Sequence, residues 1–374
     1  MRLRKLTMSL VSATSALLLV ACGGGGGGGG GDAAPSIDLG SGPPQAGVVK
    51  KDALKGITMS FASYGGIYQQ GQESGGVQPF AAESGAKVLS DGPTDYAKIK
   101  AQVESGNVTW DVVDTGSTFA LANCGTLFMK LDTKIVDTSH APKELVSECA
   151  VPSMTYGYVM VYNKTKFGAN PPTSWADFFD TTKFPGKRGL PGIASDIEPG
   201  ILEGALVADG VARDKLYPLD VDKALKKLDT IRADAVFWDT GARAQQLIES
   251  GEVDLAWMWS GRALAGIKNG ADFAANWNDF SPVFDTLVVP VGAKNPQASF
   301  ALINYMIGKS AQEKLTEATS YSPIHDEAQP QVDELTQSFI TTAKPKEQAL
   351  PIDNTWWSEN QADVITKWSD WLAG

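Results

Sequence analysis

The sequence predicts an α/β fold, parallel or mixed sheets covered by helices, and three observations carry that reading. Short apolar runs alternate with amphipathic helical stretches along the chain. Glycine- or serine-rich turns separate them. With 374 residues, 43% of them hydrophobic and 20% charged, the chain can bury a sizeable core and is long enough for two lobes or domains.

Taken in order, Ile57 to Ala62 alternates like a strand, Ala97 to Val103 has helical spacing, and Val108 to Val113 is strand-like again. Asp220 is placed to cap a helix with Val221, Ala224, Leu225, Leu228 and Ile231 on one face. That helix leads into a strand at Ala235 to Trp238, a short helix through Leu247 and Ile248, and a strand at Val253 to Trp259. Ligands of such sheets bind beyond the carboxyl ends of strands, where turns expose backbone N–H groups. Four turns follow strand-like runs and precede helix-like ones: Ser63-Tyr64-Gly65-Gly66, Thr115-Gly116-Ser117-Thr118, Asp239-Thr240-Gly241 and Ser260-Gly261-Arg262. Tyr64, Trp238 and Trp259 beside them can supply apolar walls.

The first 21 residues read as an export signal. Arg2, Arg4 and Lys5 form a basic start, followed by an apolar stretch through Leu17-Leu18-Leu19-Val20 that is too short and interrupted for a stable span. Leu19-Val20-Ala21-Cys22 resembles the bacterial lipobox, which implies cleavage before Cys22 and a lipid on that cysteine. Residues 22–55, with nine glycines from Gly23 to Gly31, read as a flexible tether of order 30 Å. The expected location is therefore extracytoplasmic, beside a membrane that the protein does not span. Loss of the leader takes the formal charge from −11 to −14, which argues against nucleic acid or anionic lipid as partners.

Cys124 and Cys149 are the remaining cysteines, and in an oxidising compartment an even pair is most simply a disulfide. A reactive thiol pair is the alternative, although nothing basic sits beside either one. The two histidines, His140 and His325, are far apart in sequence and there is no Cys-x-x-Cys. Neither a zinc site nor a histidine-based triad has much to build on, and no metal or cofactor is expected.

Val112-Val113-Asp114-Thr115-Gly116-Ser117-Thr118 and Phe237-Trp238-Asp239-Thr240-Gly241 look like the two catalytic loops of pepsin-like aspartic proteases. Asp114 and Asp239 sharing a proton would make an acid/base pair, so an aspartic peptidase is the competing enzyme reading. The helix-like run Ala242 to Ile248 after the second loop departs from that mostly β family.

From Ile57 to Gly374 the chain resembles the bacterial ABC-transporter solute-binding proteins of the spermidine/putrescine-binding type. The resemblance rests on Ser63-Tyr64-Gly65-Gly66-Ile67-Tyr68, Trp110-Asp111-Val112-Val113, Gly125-Thr126-Leu127 before Lys130-Leu131-Asp132, and Thr173-Ser174-Trp175-Ala176-Asp177-Phe178-Phe179. Further on it rests on Phe184-Pro185-Gly186-Lys187, Gly251-Glu252-Val253-Asp254, Pro290 to Asn295 and the aromatic C-terminal run ending in Trp371-Leu372-Ala373-Gly374.

It implies a two-lobed, type II periplasmic-binding-protein fold with the ligand cleft between the lobes, closing by hinge bending. Lobe one would comprise residues 56–155 and 275–321, and lobe two 156–274 and 322–374, with the first crossing near Met154-Thr155-Tyr156. The implied function is a receptor, not an enzyme: a monomer that captures a small amine-bearing, polyamine-like solute and hands it to an inner-membrane permease.

The same resemblance supplies candidate ligand contacts. Ser63, Tyr64, Gly65, Gly116 and Ser117 fall where the family's first lobe lines the cleft, and Tyr156 lies at the first crossing. Trp259 matches a tryptophan that packs on ligand methylenes, and Trp238 and Thr240 flank the neighbouring turn. Asp285, Tyr321 and Trp357 fall in later segments that approach the cleft. Polyamine binders hold an ammonium with paired acids, but here Ile197 and Gly200 stand at the pair, with Asp196 and Glu198 nearby. Arg262 could instead pair a carboxylate or phosphonate. A zwitterionic ω-amino acid or aminoalkyl phosphonate is therefore the alternative ligand class.

Overall fold

A computed structural model describes residues 37–374. The export signal, Cys22 and the glycine run lie outside the described residues. Eight strands form one continuous sheet among the described residues: β1 (Thr58–Ala62), β2 (Lys87–Asp91), β3 (Val112–Gly116), β4 (Val151–Asn163), β5 (Arg188–Pro191), β6 (Ala235–Trp238), β7 (Leu255–Trp259) and β8 (Phe273–Val288). Their spatial order is β2-β1-β3-β8-β4-β7-β5-β6. At one end β1 pairs in parallel with β2 and β3; at the other β5 pairs in parallel with β6 and β7.

The two ends are joined by β4 and β8, which run antiparallel to each other from Val151↔Leu287 to Asn163↔Phe273. At about 3.3 Å per residue the 16-residue β8 is on the order of 50 Å long, enough to serve both ends. Register shifts interrupt the ladder between Pro152 and Met154 and between Tyr158 and Met160, and irregularities of this kind bend a strand pair. The apolar core divides about this pair. One cluster, with Trp175, Trp238, Trp257, Trp357 and Trp368, gathers around β5–β7. Two others, around Phe61, Phe80 and Leu287 and around Trp110 and Phe128, lie with β1–β3.

Local signals act as their chemistry requires. Asp220 accepts the Lys223 N–H at 3.0 Å and starts the helix Val221–Asp229, whose Val221, Ala224, Leu225 and Leu228 are buried. Thr240 caps Gly241–Glu249 by accepting the Arg243 N–H at 3.2 Å. Two expected strands start later: β7 begins at Leu255, not Val253, and β3 at Val112, not Val108. The Asp111 carboxylate accepts the Ser60 N–H at 2.8 Å, and the Ser60 hydroxyl donates to the Thr109 carbonyl at 2.7 Å. These side-chain bonds replace the ladder there, so β1 pairs with β3 only from Phe61↔Val112.

The tether expected to run to residue 55 ends earlier in the structure. Val49 is 6% exposed and Leu54 fully buried in the core beside β1. Asn304 holds the approach by donating to the carbonyls of Gln45 and Val48, at 2.8 and 3.2 Å. Burial of these two aliphatic side chains offsets the cost of ordering this segment.

Cys124 and Cys149 are joined in a disulfide with Cα atoms 5.5 Å apart. On the chain-entropy model a loop of 25 residues stabilises by about 3.5 kcal/mol. Serine at both positions is expected to lower the denaturant midpoint by that equivalent. Two labelled thiols in unreduced, denatured protein would contradict the pairing.

Candidate functional site

The strand ends converge on a cavity of about 630 Å³. The segment after β1 contributes Tyr64, Gly65 and Tyr68; that after β2 contributes Thr94 and Tyr96; and β8 and β4 contribute Asp285, Met154 and Tyr156. Facing them are Ile193, Asp196 and Glu198 after β5, Asp239 and Thr240 after β6, Trp259 and Arg262 at the end of β7, and Tyr321. The segments after β1, β2, β5, β6 and β7 leave the carboxyl ends of parallel strands, where turns and helix starts are open to a solute, and Met154, Tyr156 and Asp285 come from within the antiparallel β4/β8 pair.

Three carboxylates meet there. Tyr156 donates its hydroxyl to Glu198 at 2.6 Å and lies 3.3 Å from Asp285, tying β4 to both acids. The Trp259 indole N–H donates to the other Glu198 oxygen at 2.8 Å, while its ring packs on Trp238 at 5.0 Å. Asp196 makes no side-chain hydrogen bond within the described residues; burial, with the Glu198 charge beside it, raises its carboxyl to about 8. Asp285 is pushed well above the usual carboxylate range by burial, then by Asp114, Glu198 and Asp196.

Behind this set Asp114 is fully buried on β3, where Tyr68 donates to it at 2.8 Å and Gln72 at 2.6 Å. Its second oxygen has no partner among the described residues, and burial raises the group to about 7. Asp114 and Asp239 share no hydrogen bond among the described residues, and Asp239 stands exposed on the cleft wall while Asp114 is sealed behind Tyr68. The shared-proton dyad that the peptidase reading needs is not built, because β8, β4, β7 and β5 stand between β3 and β6 in the sheet order.

Arg262 faces the acids without any hydrogen bond or ion pair within the described residues, and two glycines make room for it. A Cβ on Gly241 would stand 2.6 Å from its Nε, and one on Gly66 3.6 Å from a terminal nitrogen. The cavity therefore presents an unpaired guanidinium at one place and under-satisfied carboxylates at another, with Tyr64, Tyr156, Trp259 and Tyr321 as apolar walls.

A family model described as bacterial extracellular solute-binding protein matches residues 77–345. The chain belongs to that family. The γ-aminobutyric acid-binding protein of Pseudomonas aeruginosa is 31% identical over 327 residues, 84% of this chain and 91% of its own length. Spermidine/putrescine-binding periplasmic protein 1 of Haemophilus influenzae is 29% identical over 264 residues, 67% of this chain and 71% of its own. A solved γ-aminobutyrate receptor structure aligns with a TM-score of 0.78 at 37% identity, covering 84% of this chain and 97% of that one.

The solute-binding protein thus has the two-lobed, type II periplasmic-binding fold, with the cleft between its lobes. Family membership brings a small-molecule solute and an ABC permease as partners. No helix among the described residues is long and apolar enough to cross a membrane.

Of the candidate contacts, Tyr64, Gly65, Tyr156, Thr240, Trp259, Arg262, Asp285 and Tyr321 stand on the cavity wall of this solute-binding protein. Five do not. Ser63 is buried and donates to Gln72 at 2.6 Å, which in turn holds Asp114. Gly116 sits behind the wall: its N–H meets the Tyr64 and Tyr96 hydroxyls at 2.9 and 3.2 Å, and a Cβ would come within 2.8 Å of the latter. Ser117 is buried at the start of the following helix. Trp238 fills the core behind Trp259 at 1% exposure, with its indole N–H donating to the Trp257 carbonyl at 3.3 Å. Trp357 shares the buried stripe of the helix Asn354–Ala373 with Val364 and Trp368, and its indole N–H satisfies buried Glu203 at 2.8 Å.

Asp196 and Glu198 do reach the cleft, whereas Tyr68, Thr94 and Tyr96 had no sequence signal of their own. Between the two acids Ile197 is buried in the core at 2% exposure, while Asp196 and Glu198 stand on the cavity wall.

Proposed function

We propose that the cleft captures a small ω-amino acid, of the γ-aminobutyrate kind, and delivers it to the permease. The observation that carries this reading is the unpaired Arg262 guanidinium on the same cavity wall system as Asp196, Glu198 and Asp285. The ammonium end would displace water from the acids and the aromatic faces, and the acid end would take Arg262. The γ-aminobutyrate-binding relatives support it.

The polyamine reading keeps one observation in its favour, because five carboxylates line the cavity against one arginine. The two are separated by thermal shift with ω-amino acids, aminoalkyl phosphonates, putrescine and spermidine. A ligand at 100 times its dissociation constant stabilises by about 2.7 kcal/mol. Stabilisation by a neutral sugar or simple dicarboxylate, with none from any amine, would reject both.

Closure is assigned to the β4/β8 pair, with lobe one at 56–155 plus 275–321 and lobe two at 156–274 plus 322–374. Membrane attachment is assigned to a lipid on Cys22. Cys22→Ser is expected to move the protein from the membrane to the soluble fraction, and retention in the membrane would reject that attachment.

A further inference from the structure

We propose that His140, His325 and Asp326 form a binding site for one divalent transition-metal ion, zinc or copper, separate from the ligand cleft. The chain has only these two histidines, 185 residues apart, and the fold stacks their rings with centroids 4.4 Å apart and planes within 10°. His140 Nδ1 lies 2.8 Å from the Asp326 carboxylate and His325 Nδ1 3.9 Å from the same oxygen. One ligand atom from each of the three residues can be chosen within 4.8 Å of the others. Two nitrogens on one tetrahedral zinc stand about 3.3 Å apart and each lone pair lies in its ring plane, so the stacked rings must tilt out of parallel to share one ion. Distance in sequence, which argued against a metal, is cancelled by the fold.

The surroundings suit an ion. The Asp326 N–H donates to the His140 carbonyl at 3.1 Å, fixing the two segments to each other before any ion arrives. His325 is buried, and its Nδ1 accepts the Glu327 N–H at 3.2 Å, a bond that an ion at Nδ1 would replace. Glu327 adds a further negative charge near both rings. Asp137, also nearby, is already engaged by the N–H groups of Ser139 and Ala46. None of the three proposed ligands lines the cavity, yet His325 follows Tyr321 by four residues. The ion would clamp the segment beyond Tyr321 onto the His140 loop.

The test uses the mature chain without a polyhistidine tag, stripped with chelator and titrated with zinc by calorimetry and with copper(II) by electron paramagnetic resonance. One ion per chain is expected, with nitrogen hyperfine structure from two imidazoles. His140→Ala, at a half-exposed position, is expected to fold, bind the cleft ligand unchanged and weaken metal binding at least about tenfold. Asp326→Asn should weaken it in the same way, and acidification to pH 5 should release the ion. No uptake by the parent chain, or equal uptake by His140→Ala, overturns the proposal.

Discussion

Arg262→Ala is expected to cost about 2–4 kcal/mol in affinity for an ω-amino acid, roughly 30- to 1000-fold, and to leave putrescine binding equal or tighter. In the protein as it stands the guanidinium has no partner among the described residues, so a bound acid group supplies charge-assisted bonds that nothing else replaces. A diamine gains nothing from Arg262 and is repelled by it. Trp259→Ala serves as the contrast. It removes an aromatic face from either ligand and frees Glu198, so it should weaken both classes by about 2 kcal/mol or more. Calorimetric titration of the two variants decides the matter. Equal losses for both ligands in Arg262→Ala would remove the pairing argued for the acid end.

Between pH 6 and 8 the unliganded protein is expected to lose stability while ligand affinity rises. Asp114 is raised to about 7 and Asp196 to about 8, each first by burial, and Asp285 is raised as well. A carboxyl raised in the folded state holds a proton that the unfolded chain has released above about pH 4. Its contribution is therefore complete below that value, falls steadily as pH climbs above it, and is gone once pH has passed 7 for Asp114 and 8 for Asp196. For the fully buried Asp114 this is of order a few kcal/mol.

An ammonium ligand favours the ionised acids and expels their protons, so each proton released adds up to about tenfold in affinity per pH unit in the same window. Melting curves from pH 5 to 9, with and without ligand, should show a falling unliganded midpoint and a growing ligand increment. Asp114→Asn should flatten the first slope. An increment that shrinks from pH 6 to 8 would exclude cation capture by these acids.

The sequence by itself determined what is local. Alternating periodicity set the α/β class, Asp220 and Thr240 set helix starts through a single side-chain bond each, and the order of short motifs pointed to the family. Trp259, Arg262 and Asp285 were legible because each lies at the end of a strand or in the motif order. Other features depended on partners remote in the chain. Ser60 and Asp111 shorten β3 from 51 positions apart. Trp238 and Trp357 have the same chemistry as Trp259, yet only Trp259 borders the cavity, since the faces of β6, β7 and the last helix are assigned by what packs on them. The antiparallel β4/β8 pair joins the two ends of the sheet, brings Asp285 to Glu198 through Tyr156, and leaves Arg262 across from Gly66. Periodicity and capping act over a few residues and are written in the chain. Which side chains share a cavity, or stack as His140 and His325 do, follows from strand order and burial, which only the folded whole decides.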